Sequence, residues 1–188
     1  MSKQGVTSPD SFKPDSGVKR TRLREFQTQL VERMQAAQRG GLAITNQLGI
    51  LAGQQRYLLD LREAGEIVSL SGLTEVPLTR DWYVGLANIR GNLTSVIDLP
   101  RFQGKDRVPQ ESSSRIVAFA PALAFNGGLL VSQVLGLRNI HEMQETMADA
   151  SAVRPWLPRS FTDRDGHLWH ELSLAALVQD QEFLHIGM

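Results

Sequence analysis

Gly85-Leu86-Ala87-Asn88-Ile89-Arg90-Gly91-Asn92-Leu93-Thr94-Ser95-Val96-Ile97-Asp98-Leu99 is the stretch on which the reading of this 188-residue chain turns. It reads as two strands meeting at Arg90-Gly91-Asn92, where Gly and Asn tolerate positive φ. Leu93, Ser95, Ile97 and Leu99 alternate with Thr94, Val96 and Asp98, so both faces are partly apolar. Such a hairpin is expected to lie between two layers with Arg90 at its tip. An arginine there needs a carboxylate or solvent, because an unpaired buried guanidinium is strongly destabilising.

Working outward, the same short-strand texture continues on both sides. Gln47–Leu51 and Arg56–Leu61 flank Gly53-Gln54-Gln55 and form a predicted hairpin; Glu66–Leu70, Arg115–Ala120 and Leu129–Val134 are further predicted strands. Arg159–Thr162 and His167–Leu172 are joined through Asp163–Gly166, with Asp165-Gly166 as a strong two-residue turn. Ser173 caps a short helix reaching about Gln179, and Glu182–Ile186 is expected to close the chain as a strand. This many short strands would expose several edges unless the sheets close or nearly close, so the fold class is mainly β. Before the strands, residues 1–18 are polar with Pro9 and Pro14 and read as a flexible tail. Leu23, Phe26, Leu30, Met34 and Ala37 then recur at helical spacing within residues 22–39, up to Gly40-Gly41. The expected organisation is a tail plus amphipathic helix over 1–41 and a folded domain over 42–188.

Composition removes several classes of function. Twenty basic residues balance 20 acidic ones, so no global field draws nucleic acid or anionic lipid. There is no cysteine, which excludes disulfides, thiolate metal sites and thiol catalysis and suits a reducing compartment. The polar N-terminus lacks the apolar core of a signal peptide, and no apolar run approaches the ~20 residues that span a bilayer, so the expectation is a cytoplasmic protein without membrane insertion.

Each candidate for chemistry has a plainer explanation. His167 and His170 sit three apart on a strand, which points their rings to opposite faces, and Asp163-x-Asp165-Gly166 lacks the remaining oxygen ligands of a calcium loop. Gly127-Gly128 lacks the Lys and Ser/Thr of a phosphate loop, and Ser112–Ser114 read as a solvated loop. The basic group Lys19, Arg20, Arg22 and Arg24 reads as a solvated helix start. No catalytic residue, metal or cofactor is expected, and the chain is expected not to be an enzyme.

The run Gly85–Leu99 resembles the G-x-x-N-x-R-G-x-x-x-P-V-x-D-L signature of CheW-like domains, the adaptors that couple chemoreceptors to a CheA-type histidine kinase. The resemblance extends to Leu51-Ala52-Gly53 with Tyr57–Leu61 and Glu66-Ile67 upstream, and to Leu129–Gly136 downstream, covering residues 47 to 187. The wording Gly-Leu-Ala-Asn-Ile-Arg-Gly and the ending Asp180–Ile186 are most similar to the adaptors of type IV pilus twitching systems. Ser95 stands where the family pattern has proline, Gln133 where aspartate is common, and Ala64 and Gly65 where residues are larger.

The resemblance implies two SH3-like five-stranded β-barrel lobes packed together, one holding about residues 55 to 120, with an N-terminal helical extension. It implies two partners: the regulatory domain of a CheA-type histidine kinase, and the helical tip of a methyl-accepting chemoreceptor held in a groove between the lobes. The residues it assigns to partner binding are Ala64, Glu66, Ile67, Leu86, Asn88, Arg90 and Gly91, with Glu66 and Arg90 expected to approach one another near that groove. The alternative is a small-ligand-binding β-barrel with an anion site near Arg90.

Overall fold

Two antiparallel-rich sheets carry the chain in the computed structural model, which describes residues 46–146 and 154–188. Six strands form the first sheet, in the order β8 (Gln133–Asn139), β1 (Asn46–Ala52), β2 (Gln55–Asp60), β11 (Leu168–Leu172), β10 (Ser160–Thr162) and β9 (Gln144–Thr146). Five form the second, in the order β3 (Ala64–Ser69), β6 (Arg115–Phe119), β7 (Gly127–Val131), β5 (Asn92–Ile97) and β4 (Tyr83–Ile89). The mainly β, two-lobed architecture expected from the sequence is therefore present, one lobe gaining a sixth strand through the three-residue β9. The described residues all fall in the compact unit Thr45–Met188. The N-terminal tail, the basic group Lys19–Arg24 and the helix expected over residues 22–39 lie outside the described residues.

Closure of the first sheet follows from its order. β8 and β9 are its two outermost strands, yet only residues 140–143 join them, and four residues span at most about 14 Å. The edges must curve back towards each other, which makes a barrel. Its interior holds Leu58, Phe161 and Trp169, with Leu135, Ile140 and Met143 packed against them. The alternate residues Leu48, Ile50, Tyr57 and Leu59 point the other way, into a larger core shared with Val96, Val117, Leu129 and Leu130 of the second lobe. β7 is central in its sheet and is buried along its whole length.

Several boundaries differ from the sequence expectation. Leu129–Val134 is two strands: Val131 ends in one sheet and Gln133 begins in the other. Ser132 pins the crossover, its amide donating to the Leu51 carbonyl at 2.7 Å while its Oγ accepts from the Gly53 amide at 3.1 Å. The apolar run is continuous across the change of partner, so nothing in its pattern marks the break. The lobe expected over 55–120 runs instead from β3 to β7, because β2 pairs with β1 and β11 while β7 lies parallel to β5.

At the C-terminus, Glu182–Ile186 is not a strand. Gln181–Leu184 is a helical turn whose cap, Asp180, accepts from the Glu182 and Phe183 amides and from Trp156 Nε1 at 2.9 Å, burying Phe183 against Trp82. Asp180, a favoured N-cap residue, is the signal in the sequence for this turn. Ser114 is buried rather than solvated, donating to the Pro109 carbonyl and accepting from the Glu111 amide. The turn at Asp165-Gly166 and the Ser173 cap, which accepts from the Ala176 amide at 3.2 Å, stand where the sequence put them.

Candidate functional site

The β4–β5 hairpin has Ile89 opposite Asn92, which leaves Arg90 and Gly91 as a two-residue turn. Both have positive φ, 49° and 87°, as the primed turns that match strand twist require. Positive φ at Gly91 is as expected, but the second such residue is Arg90 and not Asn92, which is already in the strand. The Asn88 Oδ1 accepts from the Gly91 amide at 2.7 Å and closes the turn from the side, which is the physical content of the Asn-x-Arg-Gly spacing. Gly85 is fixed by a different demand. Its φ is 143°, and a Cβ there would overlap the carbonyl oxygen of Thr74, whose backbone pairs with Leu86.

Glu66 and Arg90 do approach: Arg90 Nη2 lies 2.8 Å from Glu66 Oε1, with the two side chains 79% and 34% exposed. The pair joins β3 to the turn at the end of β4, the two outermost strands of the five-stranded sheet, so it closes one lobe on itself. Beside it is a shallow depression of about 150 Å³ lined by Val68, Ser69, Ser71, Ala87 and Ile116 together with the hairpin tip. Ile67 is 41% exposed on β3, and Leu93, which the sequence reading left out of the site, is 64% exposed on β5. Leu86 and Ala64 are half-buried, and Asn88 and Gly91 are exposed. Gly65 sits at a bulge in the β3–β6 pairing, where a Cβ would come within 2.9 Å of the Phe119 carbonyl oxygen. The hairpin therefore buries one face, through Ala87, Ile89, Thr94 and Val96, and presents the other to solvent, correcting the expectation that it is covered on both.

The family model of the CheW-like domain matches residues 47–182, which takes in both lobes and the hairpin. The chain belongs to the CheW-like family. It is 27% identical over 146 residues to Protein PilI of Pseudomonas aeruginosa, covering 75% of this chain and 79% of that one. It is 26% identical over 127 residues to Chemotaxis protein CheW of Thermotoga maritima, covering 68% and 83%. Its fold matches the crystal structure of the scaffolding protein TtCheW from Thermoanaerobacter tengcongensis with a TM-score of 0.58 at 21% identity, over 69% of this chain and 89% of that one.

The other polar constellations of this CheW-like chain have structural partners. Asp163 accepts from Trp169 Nε1 at 2.8 Å, from the His167 amide at 2.8 Å and from the Asp165 amide at 3.0 Å, and its Oδ2 lies 3.1 Å from His167 Nδ1. Burial pushes its pKa up, but these hydrogen bonds outweigh it and bring the group down to about 2. The structure thus draws His167 to Asp163 and Asp165, whose ligand atoms lie within 4.8 Å of one another, with both Asp163 oxygens already engaged. His170 is elsewhere, its Nδ1 3.0 Å from Ser160 Oγ; burial, and then the nearby Lys105 charge, hold its pKa below the ordinary value. Gly127 and Gly128 serve packing, since a Cβ at either would run into Phe125 or Ile116. Among the described residues no helix is long and apolar enough to cross a membrane.

Proposed function

We propose that this chain is a non-catalytic cytoplasmic adaptor that couples a methyl-accepting chemoreceptor to a CheA-type histidine kinase, in a type IV pilus twitching system. The observation that carries the reading is the exposed Glu66–Arg90 pair, in a sheet whose strands also expose the apolar side chains of Ile67 and Leu93. An exposed charged pair and exposed apolar residues on one sheet are the composition of a protein-docking surface, where a few apolar anchors supply the affinity and charge supplies selectivity. Arg90 is also held in a left-handed conformation that costs a non-glycine residue about 1–2 kcal/mol, and such strain persists where the side chain must be displayed. The partner-binding set is Ala64, Glu66, Ile67, Leu86, Asn88, Arg90 and Gly91, to which Leu93 is added. The kinase regulatory domain takes one β surface, and the receptor tip takes a separate groove.

A small-ligand site at Arg90 is the weaker reading, because the depression there is about 150 Å³ and ligand pockets run about 300–1,000 Å³. Titration calorimetry of the full chain against the purified regulatory domain of the host's pilus-linked kinase tests the adaptor reading. Micromolar or tighter binding is expected, and an interface burying about 1,200–2,000 Å² in total. No heat and no co-elution at ~100 μM of each partner, far above such a dissociation constant, would remove the reading.

A further inference from the structure

A second and larger depression, about 680 Å³, opens on the opposite side of β2 from its Asp60 end, where the β1–β2 turn of one lobe meets the segment that follows Leu99–Phe102 in the other. Gly53 and Gln55 line one wall, Pro100 and Lys105 the other, and Ser132 of the crossover lies at its edge. We propose that this cavity is a binding site for a small carboxylate ligand, its acid group taken by the Lys105 ammonium and the Arg107 guanidinium.

Two cations, Lys105 and Arg107, line the cavity. Lys105 Nζ donates to Gln55 Oε1 at 2.8 Å, but among the described residues no carboxylate lies within ion-pair distance of it or of Arg107. An ammonium carries three donors, so it keeps capacity for an anion. Its partial burial holds its pKa below the ordinary lysine value, and a bound anion would reverse that shift.

Size and shape narrow the ligand. The volume falls within the range of small-molecule pockets. The walls are already fixed: Gly53 is tied to Ser132, and Asp98 holds the far loop through the Arg101 and Val108 amides, so little ordering cost remains for binding. Asp106 and Glu111 stand on the same rim, which disfavours polyphosphates and favours a monocarboxylate whose other end is neutral or cationic, as in an amino acid. A ligand here would touch both lobes at once.

The test is amide chemical-shift mapping of the full chain with L-glutamate, benzoate and inorganic phosphate, on the wild type and on Lys105→Met and Arg107→Gln. At least one carboxylate should move the amides of Gln55, Lys105 and Ser132 with a saturable midpoint, and Lys105→Met should weaken it at least tenfold. Arg107 is exposed, so Arg107→Gln folds whatever Lys105→Met does, and it should weaken the same ligand. Equal response to phosphate, saturation mapped elsewhere, or indifference to both substitutions would overturn the proposal. So would silence from every probe; if the same substitutions then weakened kinase binding, the cations would belong to a protein interface. The calorimetry with wild-type protein reads the adaptor function independently of this outcome.

Discussion

Arg90 stands in a turn that asparagine would fill better, since Asn-Gly is the favoured pair for two successive positive φ values. Arg90→Asn should therefore raise stability by about 0.5–1 kcal/mol less whatever the exposed ion pair contributes, itself at most ~1 kcal/mol. Arg90→Ala should change the melting curve little, for the same reason. Both should weaken partner binding in calorimetry, and a variant that binds and signals normally would free Arg90 from the docking surface. His170 gives a pH dependence of fixed sign. Its folded pKa is depressed, so the unfolded chain takes up the proton first as pH falls. Stability should be level above the ordinary histidine value of about 6.5 and decline below it until the folded form protonates as well. Lys105→Met removes one of the two causes and should shrink that decline; urea melts between pH 8 and pH 5.5 measure it, and an unchanged slope would count against the Lys105 contribution.

The β5 strand departs from its family at Ser95, and the structure gives the departure a use. The Ser95 amide donates to the Asn126 carbonyl at 2.9 Å where β5 begins to run parallel to β7, and its hydroxyl lies 3.1 Å from the Tyr83 hydroxyl. A proline has no amide hydrogen to give. Ser95→Pro should cost about 1–2 kcal/mol by losing both bonds, read as a lower denaturant midpoint with an unchanged slope; equal stability would mean that the strand end relaxes without loss. The last helical turn shows the opposite case of an element that the sequence pattern misassigned. Phe183, Leu184 and Ile186 look like strand residues, but Asp180 satisfies the first free amides of a helix, and Phe183 then reaches the Trp82 and Phe102 rings.

For the molecule as a whole, the described lobes carry their own cores, one inside the six-stranded barrel and one shared between the sheets. Deleting residues 1–40 should accordingly leave a folded β protein with a cooperative melt and a dispersed amide spectrum; an insoluble or molten product would show that Leu23, Phe26, Leu30 and Met34 contribute to the core. Strand alternation and turn residues determined most of the fold, because burial of alternate side chains and positive φ at Gly53, Gly91 and Gly166 are local demands that residues state directly. The Asn88-x-Arg90-Gly91 turn was equally legible, as was the need of Arg90 for a carboxylate. Which strands share a sheet was not. The apolar run through Ser132 reads the same whether it stays in one sheet or crosses to the other, and only the pairing of β7 with β6 and of β8 with β1 decides it. For the same reason the Glu66–Arg90 pair could be foreseen but its place could not: it closes a single lobe, because β3 and β4 are that sheet's two edges. The cavity at Lys105 was invisible in the sequence altogether, since it is made by residues from both lobes that only the tertiary contact brings face to face.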